Sequence, residues 1–302
     1  MPKVNDDYPN QDQVSDKELK ERAIANYKAP KAETTKTEQP KFPTEIIDLP
    51  SKGLLYPEDN PLSQGQIEMK YMSAREEDIL TTQSYIKQGV VLDKLFRALI
   101  VGNGEGVKIN YNDILTGDKN AIMIAARVLG YGKDYEFTVT APSGEKQKEK
   151  VDLTAFDDKQ IDWDLITKGS NEFEFTLPAS KRLVTFKMLT HGDSKAIEDE
   201  LKAVKKFSKR SGYGDSELTT RLIHTITSID GETGSGPIRN FVQKEMLAID
   251  SRALRTYMTK VMPDIDLQIE LQDDGTGEPF EIDLPIDINF FWPSVWLQAR
   301  FA

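Results

Sequence analysis

At 302 residues, with 29% charged and a formal net charge of −11, the chain is long enough for one large core or two modest ones. The acidity opposes nonspecific nucleic-acid binding, which needs clustered Lys and Arg against phosphate. The absence of Cys excludes disulfides, thiolate metal sites and a Cys nucleophile, and only two His are present, His191 and His224.

Residues 1–43 are polar and rich in Lys, Glu, Asp, Gln, Thr and Pro, so they cannot bury enough apolar surface to fold alone. Within them Ser15 followed by Glu18 is a capping-box pattern. Leu19, Ala23, Ile24 and Tyr27 then share one helical face at spacings of three and four. Such a stripe reads either as a helix that docks on a partner through Leu19, Ile24 and Tyr27, or as a transient helix in a plain tail. No apolar signal core and no run of the roughly 20 apolar residues that span a bilayer occurs, so a soluble, unexported protein is expected.

An alternating strand at Ile46, Ile47 and Leu49 enters Leu49-Pro50-Ser51-Lys52-Gly53-Leu54-Leu55-Tyr56-Pro57, where two prolines and a glycine force a shaped loop. A second strand, Ile67-Glu68-Met69-Lys70-Tyr71, precedes an acidic helix start over 74–80. Leu92, Leu95, Phe96, Leu99 and Ile100 predict an amphipathic helix that Gly102-Asn103-Gly104-Glu105-Gly106 ends. Thr116-Gly117-Asp118 opens the next helix, with Asp118 as its expected cap. That helix carries Ile122, Ala125, Ala126 and Leu129, and Gly130 and Gly132 stop it. A hairpin over 135–153 turns at Pro142-Ser143-Gly144.

Residues 157–171 read as a linker that is too polar for a core strand, apart from Ile161, Trp163, Leu165 and Ile166. Further helices are predicted over 194–207, 217–229, 237–247 and 250–262, the third with Pro237 in its first turn. Lys202, Lys205, Lys206, Lys209 and Arg210 form the one basic cluster, read as the solvated face of a helix. Phe290-Phe291-Trp292-Pro293-Ser294-Val295-Trp296-Leu297 is the most aromatic stretch. It is either a clasp over the chain's own core or an anchor in a neighbour through Phe290, Phe291, Trp292 and Trp296.

Residues 45–153 and 172–284 read as two copies of one unit. Each has a strand ending in Leu-Pro (Leu49-Pro50, Leu177-Pro178), a second alternating strand (67–71, 184–188) and a helix start that is acidic (74–80, 194–201). Each closes with a helix at an Asp (Asp118, Asp250) and a hairpin. The expected fold is α+β: two similar tandem modules, 44–156 and 172–302, each a small antiparallel sheet flanked by helices, behind an N-terminal arm.

No polar constellation is repeated with the unit, which suggests a scaffold with no catalytic, cofactor or metal site. Gly102–Gly106 follows a helix and lacks the Gly-Lys-Ser/Thr ending of a phosphate loop. Gly231-Glu232-Thr233-Gly234-Ser235-Gly236 reads as a flexible helix–helix loop, although it precedes a helix N-terminus where anions can bind. Glu76-Glu77 and Asp273-Asp274 could serve as a glycosidase acid and base, but sit where helix starts and turns commonly place carboxylates. No Gly-x-Ser-x-Gly elbow occurs.

The loop at 49–57, Met72-Ser73-Ala74-Arg75-Glu76-Glu77-Asp78-Ile79-Leu80, Leu92-Asp93-Lys94-Leu95, Leu115-Thr116-Gly117-Asp118-Lys119 and Arg127-Val128-Leu129-Gly130-Tyr131-Gly132 come in a set order. With Leu284-Pro285 and Phe290-Phe291-Trp292-Pro293, that order resembles the baseplate hub assembly chaperone family of T-even-type contractile-tailed bacteriophages. The resemblance covers 49–153 well and the final aromatic motif loosely. It implies a non-enzymatic tail protein at or near the baseplate hub. The implied partners are other phage tail or baseplate proteins, with no nucleic acid, membrane or small-molecule substrate. The implied location is the virion tail or, during assembly, the host cytoplasm. A retained component and a transient assembly chaperone both fit, with a carboxylate-based tail hydrolase as a distant alternative. The chain departs from the family in its polar N-terminal arm, and in having Ala141-Pro142-Ser143-Gly144 where some relatives carry a Cys pair.

Overall fold

The computed structural model of the chain describes residues 42–208, 216–286 and 290–291. Its elements are helices of 6 to 18 residues and antiparallel strands, so the α+β class expected from the sequence is what is observed. The first half runs β1 (Thr44–Asp48), β2 (Gln66–Lys70), α1 (Ala74–Thr81), α2 (Gln83–Gln88), α3 (Val91–Leu99), β3 (Ile100–Gly102), α4 (Thr116–Tyr131), β4 (Asp134–Thr140) and β5 (Lys146–Asp152). The second runs β6 (Phe173–Thr176), β7 (Leu183–Phe186), α5 (His191–Ser208), α6 (Glu217–Thr225), β8 (Ile226–Ile229), β9 (Glu232–Thr233), α7 (Ser235–Asn240), α8 (Ala248–Val261), β10 (Gln268–Gln272) and β11 (Pro279–Asp283).

Each half builds one antiparallel sheet, β1-β2-β3 or β6-β7-β8-β9, and one separate hairpin, β4-β5 or β10-β11. The correspondence reaches individual bonds. The register slips at Glu68/Met69 against β3 and at Thr185/Phe186 against β8, so both central strands carry a bulge at the same place. Ser73 donates its N–H and Oγ to Glu76, which Lys70 also grips at 2.8 Å. Thr190 donates its N–H and Oγ1 to Asp193, which Lys187 grips at 2.7 Å. Leu153 N–H closes the first hairpin on Lys133 C=O, and Leu284 N–H the second on Leu267 C=O. The duplication suggests two cores, yet the buried apolar side chains of both halves form one continuous cluster, from Leu49 and Phe96 to Phe186 and Leu254.

Several expected boundaries move, each for a physical reason. The helix expected over 217–229 ends at Thr225, and Ile226–Ile229 is a strand hydrogen-bonded to β7. Leu222, Ile223 and Ile226 keep helical spacing up to the break, which hides it. Likewise Ile100 leaves the α3 helix and opens β3. Gly102–Gly106 therefore ends a strand, and Asn103 Oδ1 accepts from the Glu105 and Val107 amides in the turn. The loop expected at 231–236 begins as a strand: Asp230 (φ 52°) and Gly231 (φ 83°) form a two-residue turn between Ile229 and Glu232. Pro237 lies in the first turn of α7 as expected, and the chain then widens into a π-helical turn over Phe241–Glu245. The residues at 157–171 are not a free tether. Lys159 N–H donates to Asp264 C=O, Asp266 N–H to Asp157 C=O, and Lys52 Nζ lies 4.1 Å over the Trp163 ring.

Asp118 does not cap α4. Leu115 holds that position and Asp118 is the third residue of the helix, 0% exposed. Its Oδ1 accepts from Ser51 N–H at 2.9 Å, and its Oδ2 from Ser51 Oγ and Tyr56 OH at 2.7 Å each. Tyr56 OH in turn accepts from Leu115 N–H at 2.9 Å, so the loop after β1 is laced onto the start of α4. That loop bends through Lys52 (φ 51°) and Gly53 (φ 74°), where a Cβ would strike the Ser63 carbonyl. In the second half Asp250 holds the equivalent third position of α8 and accepts from the Ala179 and Ser180 amides, 2.7 and 3.0 Å away, in the loop after β6.

Burial pushes the Asp118 carboxyl up to about 6 although Tyr56 and Ser51 favour its charged form. The folded state therefore holds its proton more tightly than the unfolded chain. The stability Asp118 contributes by that route is present below its unfolded value and is lost as the pH rises through about 6. Chemical denaturation of the wild type against Asp118→Asn should show the wild-type advantage shrinking by about 2 kcal/mol between pH 4 and 7. Asp118→Ala, which orphans three buried donors, should cost about 3 kcal/mol or more at pH 7.

Candidate functional site

The N-terminal end of α4 is where the two halves meet. Thr116 N–H donates to Leu189 C=O at 3.0 Å and His191 N–H to Ile114 C=O at 2.7 Å, which pairs Leu115 with Thr190 in an antiparallel bridge. Gly117 lies so close to the Pro263 carbonyl that a Cβ would collide with it. Asn120 Nδ2 donates to Asp264 Oδ1 at 2.9 Å. A mainly apolar cavity of about 190 Å³ remains at this seam, lined by Leu115, Gly117, Met188, Met258, Met262 and Pro263 among others.

Beside the seam lies the constellation closest to chemistry. Asp93 comes from α3, Tyr111 from the turn before α4, Lys119 from α4 and His191 from the start of α5. Lys119 Nζ is 2.7 Å from Asp93 Oδ1 and 3.2 Å from His191 Nδ1. His191 Nε2 is 3.6 Å from Asp93 Oδ2, and Tyr111 OH donates to Asp93 Oδ1 at 3.1 Å. The His191 ring stands edge-on to Tyr111, and Arg97 lies over the same Tyr111 ring at 4.2 Å.

Each group is already committed. Burial pushes the Tyr111 hydroxyl up, with Asp93 adding to the shift, so the phenol stays protonated. Burial alone would raise Asp93, but Lys119 and His191 outweigh it and hold the carboxyl below its ordinary range. Burial, reinforced by Lys119, pulls His191 below its ordinary value and keeps the imidazole neutral near pH 7. Among the described residues no Ser or Thr hydroxyl bonds to His191, so no nucleophile–base pair is assembled. What the arrangement does is tie α3, α4 and α5 across the seam.

The other polar groups are used alike. Glu76 is taken up by Lys70 and Ser73. Asp273 accepts from Ser143 N–H, Ser143 Oγ and Gly275 N–H, joining the tip of one hairpin to the other. Gln147 extends that junction, donating to Gln272 C=O and accepting from Asp274 N–H. Glu200 links His224 and Arg239 at 2.9 Å each. Among the described residues no group of three or more His, Asp or Glu could hold a metal ion, and no helix is long and apolar enough to cross a membrane.

Of the residues expected to meet a partner, Phe290 and Phe291 are 0% and 2% exposed. Phe290 packs edge-on to Tyr135 at 5.0 Å, and Phe291 lies 6.1 Å from Phe96. Both rings belong to the chain's own core, which corrects their reading as partner contacts. Apolar rings so enclosed gain more from burial here than a neighbour could add. Leu19, Ile24, Tyr27, Trp292 and Trp296 lie outside the described residues. In the basic cluster Lys202 is exposed and pairs with Glu198 and Asp199 of its own helix, while Lys209 and Arg210 lie outside the described residues. The sequence gives no local sign of the Asp93, Tyr111, Lys119 and His191 cluster, because its members lie in separate segments.

Comparison with family models, curated proteins and solved structures returned no match to this chain.

Because the folded His191 resists protonation, its contribution to stability is present above its ordinary value and is lost as the pH falls below it. Thermal melts of wild type and His191→Gln should therefore converge as the pH drops from 7 to 5. A gap that stays constant would show that the imidazole does not titrate as its surroundings require.

Proposed function

We propose that the chain is a non-enzymatic protein of a contractile phage tail, acting at the hub region of the baseplate through protein–protein contacts. The observation that carries this reading is where the family-like residues go. Ser51, Tyr56 and Asp118 lace a loop to a helix, and Phe290 and Phe291 close the core. Ser73 and Glu76 cap α1. The residues behind the resemblance thus build a body, and their carboxylates Glu76, Asp93 and Asp118 are taken up in structural bonds. Exposed apolar side chains such as Phe42, Ile46, Leu247 and Ile249, 47–61% accessible, supply surface for association. This counts against the tail-hydrolase alternative. A transient hub chaperone would use the same contacts and differs only in leaving before the tail is complete.

Quantitative mass spectrometry of gradient-purified tails and of hub intermediates from infected cells tests the proposal. A small fixed copy number per tail identifies a retained component, and presence on intermediates alone identifies the chaperone. Absence from both would overturn the assignment, as would peptidoglycan hydrolysis by the purified protein that is lost on changing Asp273.

A further inference from the structure

The seam between the halves is heterologous. The start of α4 in the first half seats on the β7–α5 turn and on Pro263, two residues past α8, both from the second. Since both halves run strand, strand, helices, strand, helix and hairpin, with β9 and α7 added in the second, each also carries the complementary part that the chain does not use internally. In the second half Leu247, Ala248 and Ile249 precede Asp250 as Leu115, Thr116 and Gly117 precede Asp118. Leu115 is 4% exposed, whereas Leu247 is 50% and Ile249 61% exposed. In the first half the β2–α1 turn, Tyr71-Met72-Ser73-Ala74, stands where Met188-Leu189-Thr190-His191 receives α4, as the paired caps Ser73–Glu76 and Thr190–Asp193 establish. Tyr71 and Ala74 are exposed there.

The backbone completes the match. The internal seam uses Thr116 N–H with Leu189 C=O and His191 N–H with Ile114 C=O. The unused counterparts are Ala248 N–H with Met72 C=O and Ala74 N–H with Met246 C=O. None of these four groups hydrogen-bonds to another described residue. Exposed Lys244, Glu245 and Arg252 surround Leu247 and Ile249, and Arg75, Glu77 and Asp78 border the receiving turn, so each surface carries a small charge surplus of opposite sign.

We propose that copies of this chain associate head to tail, with Leu247, Ala248 and Ile249 of one copy seated on the turn at residues 71–74 of the next. The intermolecular seam is wider than the internal one, because Ile249 carries the side chain that Gly117 lacks. That side chain and Leu247 supply the apolar area of the contact. A heterologous contact of this kind does not satisfy itself within a dimer. It grows into a ring if the rotation closes and into an open chain otherwise.

Sedimentation velocity of the full chain across the micromolar range, with variants of each surface, tests this. Leu247→Asp and Ile249→Asp disable one surface, and Ala74→Glu the other; all three residues are exposed, so circular dichroism should report an unchanged fold. The wild type should form species beyond a dimer, and each variant alone should associate about thirty-fold more weakly. The decisive sample is a mixture of Ile249→Asp with Ala74→Glu. It retains one intact contact per pair and should stop at a dimer. Leu19→Asp in the N-terminal arm should change nothing. A wild type that stays monomeric, a mixture that fails to restore the dimer, or loss of association in Leu19→Asp would each overturn the proposal.

Discussion

A carboxylate buried at the third position of a helix holds each half together. Asp118 is fully enclosed and accepts three hydrogen bonds from the loop that follows β1. Hydrogen bonds to a charged group contribute about 1.5–3 kcal/mol each, and an orphaned buried donor costs about as much. The loop between β1 and β2 therefore cannot shift without exposing or stranding polar groups. Its fixed path sets where Leu55 and Leu62, both nearly inaccessible, enter the core. The same bonds orient the first turn of α4, which is the surface the second half packs on. Asp250 performs the equivalent task with two amides, and those bonds outweigh burial and hold its carboxyl below the ordinary range. Matching carboxylates are thus displaced in opposite directions: burial outweighs the Tyr56 and Ser51 hydrogen bonds at Asp118, whereas the Ala179 and Ser180 bonds outweigh burial at Asp250.

The remaining polar side chains follow the same logic. Asp93, Lys119, His191 and Tyr111 look like the makings of an acid–base site when taken as residue types. Their geometry assigns each an occupied partner instead, and the cluster spans three helices from both halves. Asp273 and Gln147 do the same between the two hairpins. Buried polar groups that are fully satisfied lock one arrangement of packed elements against others. Under the proposed role, in which the protein presents surfaces, a fixed relation between its halves is the useful property.

Local order was legible in the sequence, whereas distant pairing was not. The apolar stripe at Leu92, Leu95, Phe96 and Leu99 becomes α3, and Pro142-Ser143-Gly144 turns a hairpin, because both signals lie within one element. The similar run of strands and helices in the two halves was also legible, because it follows the chain. Asp118 was misread as a cap because Thr-Gly-Asp before an apolar helix has the composition of one. Its partners Ser51 and Tyr56 are 67 and 62 residues away, beyond the reach of any local pattern. The strand at Ile226–Ile229 was hidden by helical spacing that continues up to its first residue, and only pairing with β7 decides it. The polar cluster escaped notice because four segments contribute one residue each.

The central claim is that two similarly built halves are fastened into one cooperative body along the α4 seam. Native-state amide hydrogen exchange tests it most directly. The account predicts that the Thr116 and His191 amides exchange only with global unfolding, at the free energy shown by the sheet amides of Val184 and Phe137. Seam amides that exchange through a cheaper opening, while each half keeps its own protection, would contradict it.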